Sequence, residues 1–153
     1  MSLSNSDGGS DMGEILIEDA PESLNSDGLR SKMNAEGCGS IVSFLGLTRG
    51  IDDGMEVHRL EFDAWSEKLP TVLHELAAQA IEQFGVQSVA MSHRTGVVLP
   101  GEDIVCIHVA SAHRKEGFEA CSWLIDELKA QAPLWKKEVR ADGAHWKLSL
   151  IHI

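Results

Sequence analysis

Apolar residues recur along this chain in two rhythms, and the places where one gives way to the other divide it into elements. Between Ser66 and Phe84, the residues Leu69, Leu73, Leu76, Ala77, Ala80, Ile81 and Phe84 fall three or four positions apart, the spacing that lines one face of a helix. Ser66 offers a cap at its start and Gly85 stands just beyond its end. A second helix is predicted from about Arg114 to Ala130, with Phe118, Cys121, Leu124, Ile125 and Leu128 inward and Pro133 as its stop. A weaker helical pattern covers Glu22 to Asn34.

The other rhythm is that of strands. Glu14 to Glu18, Ser40 to Leu47, Val86 to His93 and Asp103 to Ala110 are short and rich in branched apolar residues. Glu56 to Trp65 alternates, with Val57, Arg59, Glu61 and Asp63 on one face and His58, Leu60, Phe62 and Ala64 on the other. Thr48 to Gly54 reads as a polar, glycine-bounded loop, and Pro100-Gly101 as a turn. Two last strands, Trp135 to Val139 and His145 to Ile151, are hinged at Asp142-Gly143, a favoured hairpin dipeptide. Strands and helices interleave, yet several connections are too short for parallel crossovers. The expectation is an α+β fold, one domain over residues 14–153 with a mixed or largely antiparallel sheet and two main helices. Residues 1–13, rich in Ser, Gly and Asp, are expected to form a flexible tail without chemistry.

Composition narrows the function. With 153 residues, 43% of them hydrophobic, the chain fits one globular domain. No apolar run reaches the roughly 18 residues of a membrane span, and the start is polar and acidic rather than signal-like, so a cytoplasmic protein is expected. Cys38, Cys106 and Cys121 form no C-x-x-C pair, which argues against a disulfide framework and a thiolate metal site. Cys106 and His108 share a strand face, but two ligands without a third do not make a metal site. A net charge of -11 excludes non-specific nucleic-acid binding, which depends on cations replacing phosphate counterions. That charge is uneven: net -6 over residues 1–36, -6 over 37–110 and +1 over 111–153. An anionic substrate finds its cation-rich region late in the chain.

Within that region, His113 and Arg114 stand where a strand gives way to a helix. An anion there meets imidazole, guanidinium and the unpaired amides of a helix start together; the plainer reading is a Ser/His cap beside a solvated arginine. Lys129 near the helix end and Lys136 at the next strand are brought together by the Ala132-Pro133-Leu134-Trp135 turn. Mutual repulsion and partial burial beside Trp135 favour a neutral amine able to act as base or nucleophile. Equally, one lysine complements a helix dipole and the other guards an edge strand. Arg49 opens a glycine-bounded loop suited to holding an anion, and Glu138 is placed to hold a lysine protonated; both are also ordinary residues of a loop and a strand.

Taken in order, Phe44-Leu45-Gly46-Leu47-Thr48-Arg49, Leu60-Glu61-Phe62-Asp63-Ala64-Trp65, His93-Arg94-Thr95-Gly96, Leu99-Pro100-Gly101-Glu102-Asp103, Ser111-Ala112-His113-Arg114 and Lys129 through Glu138 carry a family likeness. From about Gly37 to Trp146 the chain resembles the large, catalytic subunit of molybdopterin synthase, which acts in molybdenum cofactor biosynthesis. Before Gly37 the likeness is weak, and Trp65 stands where a tyrosine is usual. The resemblance implies an α/β hammerhead-type fold and a homodimer carrying a ubiquitin-like small subunit at each end, a heterotetramer. It implies a sulfurtransferase: the small subunit's C-terminal thiocarboxylate converts cyclic pyranopterin monophosphate to the molybdopterin dithiolene in two transfers. No resident cofactor or metal is implied. The substrate-binding positions would be Leu47, Thr48, Arg49, His113, Arg114, Lys129, Lys136, Lys137 and Glu138. Arg49, His113 and Arg114 would take the phosphate, and Lys129 and Lys136 would be catalytic. Two other readings compete: a non-catalytic module that binds a ubiquitin-like tail, and a small acyl- or phosphate-ligand enzyme acting alone through a lysine.

Overall fold

The computed structural model describes residues 13–52, 54–140 and 143–147. Asp142 of the expected hinge, the part of the last predicted strand beyond Lys147 and nearly all of the acidic tail lie outside the described residues. The elements run β1 (Glu14–Ala20), α1 (Ser26–Ser31), β2 (Ser40–Leu47), β3 (Ile51–Asp52), β4 (Met55–Ala64), α2 (Leu69–Phe84), β5 (Ser88–Arg94), β6 (Gly96–Val98), β7 (Asp103–Ser111), α3 (Arg114–Gln131), β8 (Leu134–Arg140) and β9 (Gly143–Lys147).

They build two sheets. The first has the order β1-β5-β7-β2, with β1 parallel to β5 and the other pairings antiparallel. On one face of it α2 packs over β1 and β5, and α3 over β7 and β2. The short α1 covers part of the opposite face, where Leu29, Ala90 and Cys106 form a small core. Covered on both sides, β5 and β7 are buried almost end to end, so neither sequence alternates. The second sheet has the order β3-β4-β8-β9, with β6 also on β4, all antiparallel. Its Val57, Leu60, Phe62 and Leu134 join the core beneath α2 and α3, so both sheets share one interior. The expected α+β class, mixed sheet and two main helices are observed.

Four local expectations change. Ser66 does not cap α2: Lys68 occupies the cap position without a side-chain hydrogen bond, and Pro70 fills the first turn, where its missing N–H is no loss. Gly85 does end the helix, at the left-handed φ of 71°. Phe118, expected inward, is 60% exposed, and the buried face of α3 is Gly117, Ala120, Cys121, Leu124 and Leu128. Gly117 explains the rotation. A Cβ there would lie 2.9 Å from Ser111 Oγ and 3.0 Å from Val42 Cγ2, so the bare helix backbone rests on the first sheet and the next residue turns outward. In β4 a bulge makes His58 the extra residue, since Val57 opposes Arg140 and Arg59 opposes Val139. Val57 is therefore buried and His58 exposed, against strict alternation. The strand β3, within the segment expected as loop, and β6, in a stretch assigned no element, are too short to carry a readable period.

Candidate active site

At the N-terminal end of α3, β7 finishes with Ser111, whose Oγ donates to the His113 carbonyl at 2.6 Å. The Gly39 amide donates to the carbonyls of Ser111 and Ala112, at 3.0 and 3.1 Å, fastening the start of β2 to this corner. His113 takes the cap position in extended conformation, but its side chain makes no cap hydrogen bond. Imidazole and Arg114 are therefore exposed, at the rim of an open recess of ≈ 470 Å³ lined by Gly39, Ser40, Ala112, His113, Arg114 and Lys115. The positive end of the helix dipole adds to these cations, so the recess suits an anion such as a phosphate.

Lys129 sits on the last turn of the same helix. At about 1.5 Å of rise per residue it stands about 22 Å from Arg114 along the axis. The chain then reverses, the Ala132 amide donating to Leu128 O at 3.0 Å and the Leu134 amide to Ala132 O at 2.8 Å. In β8 the period of two sorts the charges by face. Leu134, Lys136, Glu138 and Arg140 are buried, while Trp135 is exposed and Lys137 and Val139 are partly so. Lys136 lies opposite Phe62 and Glu138 opposite Leu60, on the apolar side of the sheet. Arg140 Nε donates to Glu138 Oε1 at 2.5 Å, a charge-assisted bond between two buried groups.

Lys137 points the other way, 3.2 Å from Glu61, which also accepts from Arg59 Nε at 2.7 Å. Those two hydrogen bonds, that of Arg59 foremost, hold the Glu61 carboxyl below its usual range. The run Lys136, Lys137, Glu138 is thus divided: the first and third share the inner face and the second does not. Nor does Trp135 shield Lys136, as the spacing suggested. It is 44% exposed on the opposite face, and Phe62 takes that place.

Arg49 follows β2 in a loop where Leu47 and Arg49 are exposed and Thr48 is buried. The Thr48 amide donates to Glu102 O at 3.1 Å, the Gly101 amide to Thr48 O at 3.0 Å, and the Val57 amide to Gly50 O at 2.9 Å. Leu47 opposes Asp103 whereas Ser40 opposes Ser111, so Arg49 and His113 occupy opposite ends of the first sheet. The length of β2 separates them by about 24 Å at about 3.4 Å per residue. Within one chain Arg49, His113 and Arg114 do not gather on one phosphate. Arg49 lies instead at the end toward which α3 returns with Lys129.

Three residues were missed as parts of this assembly. Arg94, 3% exposed, donates through Nε to Ala20 O at 3.0 Å and through Nη2 to Val97 O at 2.8 Å, with Nη1 3.8 Å from Glu102. One guanidinium thus ties the end of β1, β6 and the turn that carries the Arg49 loop. Beside it, His93 Nδ1 donates to Arg94 O at 2.7 Å and the ring meets Phe62 edge-on at 5.2 Å. Burial pushes its pKa down to about 4, so the ring is neutral. The His93-Arg94-Thr95-Gly96 string was the available signal, but only as likeness. For Arg140 the signal was the two-residue alternation through Lys136 and Glu138.

Comparison with known proteins places this geometry. Residues 17–131 match the family model described as MoaE protein. The chain belongs to the MoaE protein family. The match starts at Ile17, well before the Gly37 from which the likeness was read, and takes in Arg49, His113, Arg114 and Lys129. Among MoaE relatives, the molybdopterin synthase catalytic subunit of Pyrococcus abyssi is 32% identical over 133 residues, 87% of this chain and 90% of that one. The protein of the same name from Caulobacter vibrioides is 40% identical over 111 residues, covering 72% and 73%. A crystal structure of molybdopterin synthase from Staphylococcus aureus shares the fold with a TM-score of 0.81 at 28% identity, over 85% of this chain and 95% of that one. Among the described residues of this MoaE chain, no helix is long and apolar enough to cross a membrane, and no three His, Cys, Asp or Glu side chains are grouped to hold a metal.

Proposed function

We propose that this chain is the catalytic subunit of molybdopterin synthase, a biosynthetic enzyme of the molybdenum cofactor. The observation that carries the reading is the likeness, over 87% of the chain, to a protein of that name. The finer chemistry is sulfur transfer. A ubiquitin-like small subunit brings sulfur as a C-terminal thiocarboxylate to cyclic pyranopterin monophosphate. In each of two transfers the thiocarboxylate sulfur bonds to a pterin side-chain carbon while that carbon's bond to oxygen breaks, the oxygen leaving as water or on the phosphate. Water then cleaves the resulting thioester, leaving sulfur on the pterin and a plain carboxylate on the partner. The cysteines agree with an outside source: burial pushes the thiols of Cys106 and Cys121 up to about 11, far from a reactive thiolate.

The roles divide by position. His113 and Arg114 bind phosphate at the recess, with Arg49 and the Leu47–Thr48 backbone at the rim. Lys129 and Lys136 hold the thiocarboxylate and stabilise the charge that develops as sulfur adds, and Glu138 orients Lys136. Lys137, paired with Glu61 on the other face, stands outside this set. Since α3 holds His113 and Arg114 apart from Lys129, a second copy of the chain completes the site. One protomer gives His113 and Arg114, and its partner gives Arg49, Lys129 and Lys136.

The test is dithiolene formation from the cyclic pterin and a thiocarboxylated small subunit. Lys129→Ala and Lys136→Ala are each expected to lower the rate by about 10²-fold or more, as loss of a charge-stabilising group does. An inactive wild type, or full activity in both variants, would defeat the proposal. Binding of the small subunit without sulfur transfer would favour a non-catalytic module instead. Mixing His113→Ala with Lys136→Ala protein tests the shared site: mixed dimers regain one intact site each, and no recovery would show that the site lies within one chain.

A further inference from the structure

We infer that Arg94 and Glu102 are positioning residues for Arg49: their ion pair holds the turn to which the backbone beside Arg49 is bonded. The inference rests on the reading above that Arg49 helps to bind the substrate's phosphate, and it names what keeps that guanidinium in place.

The turn is Leu99-Pro100-Gly101-Glu102. Proline in second place and glycine in third, at a φ of 87°, give the pattern of a type II turn, and the Glu102 amide donates to Leu99 O at 3.0 Å. Glu102 closes the turn a second time, its Oε1 accepting from the Leu99 amide at 2.8 Å. The same oxygen lies 3.8 Å from Arg94 Nη1. The Arg94 side chain is only 4% exposed and is anchored by its bonds to the Ala20 and Val97 carbonyls, so it offers Glu102 a positive charge at a fixed point.

The turn in turn holds the loop. Both backbone groups of Thr48 are bonded to it, the amide to Glu102 O and the carbonyl to the Gly101 amide, and Arg49 is the next residue. A Cβ on Gly50 would lie 3.9 Å from Pro100 Cβ, so the loop also rests against the turn beyond Arg49. The Thr48 side chain adds no anchor, since its buried Oγ1 has no hydrogen-bond partner among the described residues. With the main chain fixed, only side-chain torsions of Arg49 need ordering when an anion binds, which lowers the cost of binding. A carboxylate so close to an anion-binding arginine opposes the anion by its charge. Its place is explained by the turn it closes.

Steady-state kinetics of dithiolene formation tests this in Glu102→Ala, Arg49→Ala and the double variant, with circular dichroism to establish folding. Arg49→Ala is expected to raise KM for the cyclic pterin about tenfold or more, as loss of a charge-assisted hydrogen bond does. Glu102→Ala is expected to raise it about threefold or more with kcat within about twofold, a loss of binding rather than of chemistry. On the Arg49→Ala background the same change should alter KM by less than about twofold, because the residue it positions is gone. Removal of a negative charge acting only through its field would lower KM, so an unchanged or lower KM in Glu102→Ala overturns the inference. An equal rise on both backgrounds also overturns it, since the turn would then act on the fold and not on Arg49. A wild-type KM in Arg49→Ala would remove the phosphate role itself, so the two failures are distinguishable. Amide exchange gives a readout without turnover. The Thr48 and Gly101 amides are expected to exchange about tenfold faster or more in Glu102→Ala while those of α2 are unchanged, and unaltered exchange at both overturns the clamp. If Glu102→Ala does not fold, Glu102→Gln, of the same shape without the charge, takes its place in every comparison.

Discussion

Adjacent residues can have opposite fates in a strand, and Lys136 and Lys137 show the consequence. Lys136→Met, close in length but uncharged, is expected to slow dithiolene formation by about 10²-fold or more. The loss with Lys137→Met, read in the same assay, should be at least about tenfold smaller, because that lysine pairs with Glu61 on the other, partly exposed face of the sheet. Two buried histidines set a pH dependence. His93 is held at about 4, and burial also lowers His108, whose Nε2 donates to Ser26 O at 3.1 Å while Ser43 Oγ donates to Nδ1 at 2.6 Å. Both folded pKa values lie below the unfolded value of about 6.5, so the stability they confer is present above about 6.5 and is lost as pH falls below it, for His93 down to about 4. The slope is up to about 1.4 kcal/mol per pH unit for the His93 ring. Urea midpoints at pH 7 and pH 5 measure it, and equal midpoints would contradict it. The sequence made Arg49, His113, Arg114 and the lysines legible through their chemistry and family likeness. It hid Arg94, because the carbonyls it joins come from β1 and β6, brought together only by folding.

Helices and strands were legible where a period ran long enough. The sixteen residues of α2 show theirs plainly, and the burial of Leu69, Leu73, Leu76, Ala77 and Ala80 follows it. In α3 the Phe118 side chain misled, because close approach of backbone to sheet, rather than side-chain size, sets which face turns inward. Gly117→Leu is expected to destabilise the fold by about 1–3 kcal/mol through overpacking against Ser111 and Val42. Phe118→Ser, at a more hydrophobic but exposed position, should shift stability by no more than about 0.5 kcal/mol. Denaturant titration of the two variants checks the contrast, and the reverse order would place the buried face elsewhere. The bulge at His58 escaped the alternation in β4 because it depends on the register with β8, a partner far along the chain.

For the whole molecule, composition and charge indicated one domain with a cation-rich final third, and the family likeness indicated its chemistry. The helix predicted between Arg114 and Lys129, present as α3, sets the two about 22 Å apart along its axis. An anionic substrate held by cations on an acidic protein is also expected to bind more weakly as salt screens the site. The KM for the cyclic pterin should rise with ionic strength, and a flat profile would mean that the phosphate is held by something other than these charges.

The dimensions of α3 and β2 carry one more consequence. Eighteen helical residues and eight extended ones both measure about 27 Å, so helix and strand are commensurate. Along the first sheet the strand fixes how far Arg49 lies from His113, and the helix fixes where Lys129 falls against that span. An inserted helical turn would carry Lys129 about 5.4 Å past the end of the strand while leaving every charged group intact. The helix is a gauge as well as a wall, and in the proposed site its length is under the same constraint as the residues proposed to touch substrate.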